Sequence, residues 1–478
     1  MSPCGRRTRR FAFAVVFALG VLLAQHGRAA GPVGPVQPVS PTGTSTRAER
    51  SASAKLVRTP EPPRLSALRY DYEYPAIGYS GKPVDNRIAR LQDRLERGEL
   101  RLQFQAPRGY LDSLLKALQI DVSTQTLVFS KTSLQVDWIN AATPRAIYFN
   151  DDTFVAWVQG SGLLEMVTMD SALGPVFYTL DNHGVAAPSF DREVLRCLAC
   201  HDKFSLAGGG VPLFLVASSP VDVNGMLLGG EVPIPVSDET PIEQRWAGWY
   251  VTGESEHQSH LGNILVHSEK EFPHGGHFAA HNETSLEGLL DTTPYPSAKS
   301  DVVALLVLEH EVTVYNLITR FNFKSRSLLA RDSSADLSKS SLDGLPPKTQ
   351  EAIRHMGEPV VQALLFTNAA PIAGKVASSS GFDTWFQSLG PRDAQGRSLR
   401  DLQLHGRLFK YPLSYLVYSE AFDALPDCAR QFIYQRLADI LSGRDQTDAF
   451  AHLSTQDRLA VAQILTATKP EFAGAARR

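Results

Sequence analysis

Arg145-Ala146-Ile147-Tyr148-Phe149-Asn150-Asp151-Asp152-Thr153-Phe154-Val155-Ala156-Trp157 reads as two strands and the turn between them. Branched and aromatic side chains fill the flanks, where they pack well on a pleated surface. Asn150-Asp151 break the run with side chains that bond their own backbone in turns. The paired acids Asp151 and Asp152 are therefore turn formers rather than a glycosidase-like carboxylate pair. The same texture continues on both sides, at Thr126 to Ser130, Leu163 to Met169 and Val176 to Leu180, with Ser161-Gly162 as another turn. Short strands in series with tight turns predict an antiparallel meander from residue 126 to 180.

Upstream, Val84, Ile88, Leu91 and Leu95 recur at helical spacing, with Gly98 as the stop, and Leu111, Leu114, Leu115 and Leu118 mark a second short helix. After Val211, short apolar runs mix with Pro and Gly, and a strand is expected at Gly248 to Thr252. From Asp301 onward helices dominate. Val303, Leu306, His310, Val314 and Leu317 share one stripe, and further helices are expected at 349–366, 412–422, 426–442 and 454–468. The last opens with Ser454-Thr455-Gln456-Asp457, a capping box with Asp in place of Glu. This order predicts an α+β fold: a β-containing middle around the helix of residues 190–201, then a mainly α-helical C-terminal half.

The chain has 478 residues, 43% hydrophobic and 20% charged, which places it among ordinary globular proteins. Arg6 to Arg10 precede an apolar run from Phe11 to Ala24, and Gly27-Arg28-Ala29 offers a small-residue cleavage site, so residues 1–29 read as a secretory signal peptide. Fourteen apolar residues fall short of the about 20 that span a bilayer. Residues 30–66, rich in Pro, Ser and Thr, read as a disordered linker. A mixed α/β region over 67–300 follows, then a helical region over 301–478 packing on it. Net charge is −3, and removal of the first 29 residues with their five arginines takes it to −8, which argues against nucleic acid as a partner. Val302 to Leu317 is the next most apolar run, interrupted by Glu309, His310 and Glu311, so no membrane span is expected after signal removal.

Four cysteines are present and Cys4 lies in the signal, leaving Cys197, Cys200 and Cys428. An odd count with one close pair is no disulfide framework. Cys428 stands at the start of an amphipathic helix and reads as a small buried side chain. The pair belongs to Arg196-Cys197-Leu198-Ala199-Cys200-His201, and C-x-x-C-H is the attachment pattern of c-type haem. Two thiols that each add to a haem vinyl group must stand on neighbouring positions of one helical turn. The histidine four residues after Cys197 then shares their face and can reach the iron. Phe190, Val194, Cys197 and His201 fall at helical intervals, with Ser189 or Asp191 as a cap. A zinc site would want a second ligand pair, and a thiol redox pair a βαβ setting. The expected cofactor is one covalent haem c, on Cys197 and Cys200, with His201 as proximal iron ligand.

The ligand opposite His201 decides function, because a strong sixth ligand favours electron transfer and an open iron favours chemistry. Six of thirteen histidines fall between His257 and His281: His257, His260, His267, His274, His277 and His281. They read either as a polar surface loop or as ligands of a second metal. His260 is the leading distal candidate because it follows the aromatic segment Arg245-Trp246-Ala247-Gly248-Trp249-Tyr250. His310, on the apolar helical stripe, is the weaker one, and Met226 and Met356 are weaker still. No G-x-G-x-x-G, P-loop, G-x-S-x-G or H-E-x-x-H occurs. Gly208-Gly209-Gly210 is a turn or a close backbone approach.

Several segments together resemble a largely uncharacterised family of exported bacterial cytochrome c domain-containing proteins with a single CxxCH. They are Cys197–His201, Arg245–Gly253 with His260-Leu261-Gly262-Asn263, Val303–His310, Arg400-Asp401-Leu402 and Tyr415–Phe422. The similarity runs over roughly residues 80–470. It implies a covalent haem and a periplasmic home. Relatives carry His where this chain has Ser255 and Met where it has Leu261, which leaves His260 as the residue that matches. Three functions are weighed: electron transfer with a periplasmic donor or acceptor protein, a peroxidase-like or small-molecule haem oxidoreductase, and a haem-based sensor. Electron transfer leads. About 390 residues around one haem, against about 100 for a carrier domain, keep an enzyme in play.

Overall fold

Seven antiparallel strands form the centre of the computed structural model, which describes residues 71–185, 187–202, 210–229, 232–272, 283–331 and 342–475. They are β1 (Thr126–Val128), β2 (Arg145–Phe149), β3 (Thr153–Trp157), β4 (Leu163–Asp170), β5 (Gly174–Asp181), β6 (Phe190–Glu193) and β7 (Trp249–Tyr250). Their order is β6-β5-β4-β3-β2-β1-β7, so the meander is as expected and the strand at residue 249 closes its far edge. The β2–β3 turn is built by Asn150, whose Oδ1 accepts the Thr153 N–H at 3.0 Å while its Nδ2 donates to the Leu118 carbonyl at 2.9 Å.

Alternation along the strands gives the sheet two apolar faces. Tyr148, Val155, Trp157, Leu164, Met166 and Leu180 join a core with the N-terminal helices α1 (Arg87–Glu96) and α2 (Leu111–Leu118). Both helices lie where their apolar spacing places them. Gly98, at φ 69°, ends the first with its N–H on the Leu95 carbonyl at 3.0 Å. The opposite face presents Ile147, Phe149, Phe154 and Val167 to the C-terminal part of the chain.

The helical reading of residues 190–201 is corrected at its start. Phe190–Glu193 pairs with β5 as the sheet's edge strand, in register Phe177 with Glu193 and Leu180 with Phe190. Tertiary pairing overrides local periodicity there, and helix α3 is confined to Leu195–His201. Its N-cap is Val194, with no side-chain cap, so neither Ser189 nor Asp191 caps it.

Helix α4 (Val302–Arg331) is longer than its stripe implied and is buried nearly all round. Asp301 caps it, Oδ1 accepting from the Val303 and Ala304 N–H groups at 2.9 and 3.2 Å. The helix is long and apolar enough to cross a bilayer, yet 83% of its most apolar window is buried inside the folded body. It runs between the second sheet face and the helix α5 (Pro347–Leu364), on which α6 (Asp427–Leu441) packs, with α7 (Thr455–Thr468) against α6 in turn. The expected helix at 412–422 is instead a 3₁₀ turn, Tyr415–Tyr418, and a short helix, Glu420–Asp423. Ser454 and Asp457 form the expected capping box, and Cys428 is buried. One apolar cluster crosses residue 300, joining Phe149, Phe154 and Trp246 to Val303, Leu364 and Leu437. The signal and linker segments, residues 1–66, lie outside the described residues.

Candidate functional site

The second sheet face carries a cleft beside the C-x-x-C-H helix. Strand register sets its floor in two rows. Ile147 stands opposite Ala156, Ala156 opposite Glu165, and Glu165 opposite Thr179. One step along, Phe149, Phe154, Val167 and Phe177 follow one another across β2 to β5. Leu308 and Val312 of α4 and Phe214, Leu215 and Val216 form further walls, and Cys197 and His201 line the cleft from α3. The cavity volume is about 130 Å³, and the empty space counted together with the open mouth is about 750 Å³. That cavity is smaller than the about 300–1,000 Å³ of typical ligand sites. A macrocycle exceeds that cavity, so any fit uses the open mouth; Cys200, exposed on the same helix, does not line the cleft.

His201 is held as an iron-binding imidazole would need to be held. Its Nδ1 lies 2.7 Å from the Leu213 carbonyl, and the Leu213 N–H returns a bond to the His201 carbonyl at 2.9 Å. A carbonyl only accepts, so Nδ1 carries the proton and Nε2 keeps its lone pair. Among the described residues Nε2 has no hydrogen-bond partner. The ring packs on Phe177, centroids 4.6 Å apart, and burial lowers the imidazole's affinity for a proton. A neutral ring, oriented by a bond from its other nitrogen, is the usual state of a metal-ligating histidine.

Cys197 is half-buried, Cys200 exposed, and neither forms a disulfide. Burial, reinforced by Glu165 and Glu193, pushes the Cys197 thiol up to about 12. A thiol redox pair or a zinc–thiolate site wants the opposite shift. Among the described residues no three His, Cys, Asp or Glu side chains converge as a metal cage. The chemistry of the donor set, the Cys197 thiol and a neutral His201 at an apolar cleft with the Cys200 thiol exposed on the same helix, fits c-type haem.

The distal candidates are placed elsewhere. His260 is buried, accepts the Gly262 N–H on Nδ1 at 3.0 Å, and meets Trp246 edge-on at 5.1 Å. It does not line the cleft. His310 is committed on both nitrogens, Nδ1 at 2.8 Å from Asp238 Oδ2 and Nε2 at 2.7 Å from Ser414 Oγ, and stacks on Phe366. Ser, His and Asp thus meet in the order of a hydrolase triad, but Ser414 is fully buried and its Oγ also accepts the Leu416 N–H as a cap. A nucleophile sealed from substrate is a structural hydroxyl. Met166 faces the other side of the sheet, Met226 is exposed and Met356 packs on the core. His257 and His267 are exposed, and His274, His277 and His281 lie outside the described residues, as do Gly208 and Gly209. A separate cavity, about 1220 Å³ including its mouth, lies beside Asp238, Arg245 and Phe409 and contains no cysteine.

Two residues at the site escaped the sequence reading. Leu213 orients His201 from twelve positions away. Arg145 lines the cleft, and its parity with Ile147, two residues on, was the available signal. No protein-family model matches the chain, and neither a curated protein nor a solved structure matches it.

Proposed function

We propose that this is an exported c-type haem protein, with Cys197 and Cys200 as thioether anchors and His201 Nε2 as the proximal ligand of a single haem. The observation that carries the reading is the His201 imidazole, fixed by Leu213 with its lone pair left beside an apolar cleft that Cys197 also lines. When bound, haem supplies a one-electron couple at its iron. The chain's own residues hold that group. Leu213 fixes the imidazole tautomer, Phe177 sets the ring plane, and Phe154, Phe214, Leu308 and Val312 keep water from the buried side. The function proposed is electron transfer with a periplasmic protein partner that meets the chain beside the open mouth of the cleft.

A second reading, redox chemistry on a small molecule at the iron, is favoured by one observation. Among the described residues the cleft offers one imidazole and no thioether turned into it, while His260 and His310 are engaged elsewhere. A pyridine haemochrome assay on protein matured with the c-type machinery tests the common ground. Absence of covalent haem, or its persistence in Cys197→Ala/Cys200→Ala, refutes both readings. A low-spin spectrum indifferent to cyanide supports electron transfer, and a high-spin spectrum that responds to cyanide or peroxide supports chemistry at the iron.

A further inference from the structure

We propose that Arg145 is the cation that anchors a carboxylate of the group in the cleft, a propionate of the bound haem, an inference that rests on the haem reading. Arg145 opens β2 and shares its face with Ile147, so the guanidinium enters the same cleft as Cys197 and His201. Its own partners are few. Nη1 donates to the Thr132 carbonyl at 3.2 Å, Nη2 reaches Thr132 Oγ1 only at 3.5 Å, and Nε is buried with no hydrogen-bond partner. Among the described residues no carboxylate pairs with it.

Glu165 is the one acid among the lining residues, and its oxygens are already taken. They accept from Ser133 Oγ, from the Leu134 N–H at 3.0 Å and from Gln135 Nε2 at 2.6 Å. A half-buried guanidinium with no carboxylate bonded to it is costly to hold, and burial weakens its hold on its proton while Glu165, in the same lining, partly offsets this. The fold retains this cost at the edge of an otherwise apolar site. An apolar ring that brings its own carboxylates cancels it, because the guanidinium fork matches a carboxylate with two parallel hydrogen bonds. Haem is such a molecule.

The test is made on the full, haem-loaded chain. Midpoint potentials are measured at one pH for the wild type, Arg145→Gln, Arg145→Lys and Glu165→Gln, with the propionate bending modes read by resonance Raman. Loss of a positive charge beside the haem disfavours the reduced form. Arg145→Gln is expected to shift the reduced-to-oxidised ratio about tenfold toward oxidised, about 59 mV for a one-electron couple, and to move the propionate modes. Arg145→Lys should recover most of the potential but not the modes, since an ammonium lacks the fork. Glu165→Gln should shift the potential the other way without altering the modes. An Arg145→Gln protein with covalent haem, unchanged potential and unchanged modes overturns the inference and leaves the haem reading standing. If Arg145→Gln fails to fold, unchanged modes in Arg145→Lys overturn it equally. A wild type without covalent haem refutes the haem reading itself, and the anchor falls with it.

Discussion

Replacing Arg245 with Leu should expose how α4 tolerates three consecutive polar residues in the core. Arg245 is 3% exposed and Glu309 fully buried, and the two meet at 2.7 Å. Trp246 Nε1 donates to the other Glu309 oxygen at 2.7 Å. Arg245 also donates to the carbonyls of Thr240 at 2.8 Å and Asp238 at 3.0 Å. Removing one member of a buried pair strands the other, at a cost of about 3–5 kcal/mol. That is a large fraction of the about 5–15 kcal/mol that keeps a protein folded. The cost must depend on pH. Burial holds the Glu309 carboxyl above its ordinary range, and Arg245 pulls it back. In Arg245→Leu that pull is gone, so the carboxyl stays protonated to higher pH in the folded state. A group with a raised folded-state pKa contributes its stability below the unfolded value of about 4.3 and loses it as pH rises toward the folded value. The penalty should therefore be largest at pH 8 and shrink toward pH 5, by at most about 1.4 kcal/mol per pH unit. Urea unfolding followed by circular dichroism at both pH values measures it. Arg245→Leu/Glu309→Leu should recover stability relative to the single variant. A single variant within about 1 kcal/mol of the wild type, or a penalty equal at both pH values, refutes the reasoning.

Glu311 is buried with Oε2 lacking a partner while Oε1 accepts from Tyr415, and burial and Asp151 hold its carboxyl well above the usual range. Glu311→Gln should therefore gain stability over the wild type as pH rises above about 4.3, by up to about 1.4 kcal/mol per unit, and a gain that is flat with pH in urea titrations refutes this. Gly357→Ala should destabilise, because a Cβ there would lie 2.6 Å from Phe432 and 2.9 Å from Phe321. Overpacking of about 1–3 kcal/mol outweighs the about 1 kcal/mol of helix propensity gained, and a higher melting temperature would contradict that. His310→Ala should leave the haem spectrum of the loaded protein unchanged while lowering its melting temperature, since the ring bonds Asp238 and Ser414 rather than facing the cleft. His201→Ala should change the spectrum, and the reverse outcome would relocate the iron. In the haem-free protein, burial lowers the His201 pKa. That stability should be fully present above about pH 6.5 and lost as pH falls below it, a trend absent from His201→Ala.

Much of the architecture was legible in the chain because it depends on near neighbours. Alternating apolar residues around Asn150-Asp151 specify a hairpin before any partner is present. Ser454 and Asp457 close their capping box over three residues, and Leu111, Leu114, Leu115 and Leu118 make one apolar stripe in under three turns. The spacing of Cys197, Cys200 and His201 is local in the same way. Phe190–Glu193 shows the limit. Its helical periodicity is genuine, but β5 offers a ladder of hydrogen bonds that five more residues of helix would forgo.

The sequence by itself determined the meander, the short helices and the grouping of two thiols and one imidazole on a single short segment, because periodicity, turn chemistry and motif spacing act within a few residues. Only the tertiary structure decided what those groups face. Leu213 fixes the His201 tautomer, α4 disappears into the core, His310 is spent on Ser414 from 104 residues away, and Arg145 is left with no bonded carboxylate and a buried Nε without a partner. Each of these outcomes turns on which distant side chain supplies or withholds a hydrogen bond or a charge in a space closed to water, and chain order does not encode that pairing until the core has formed.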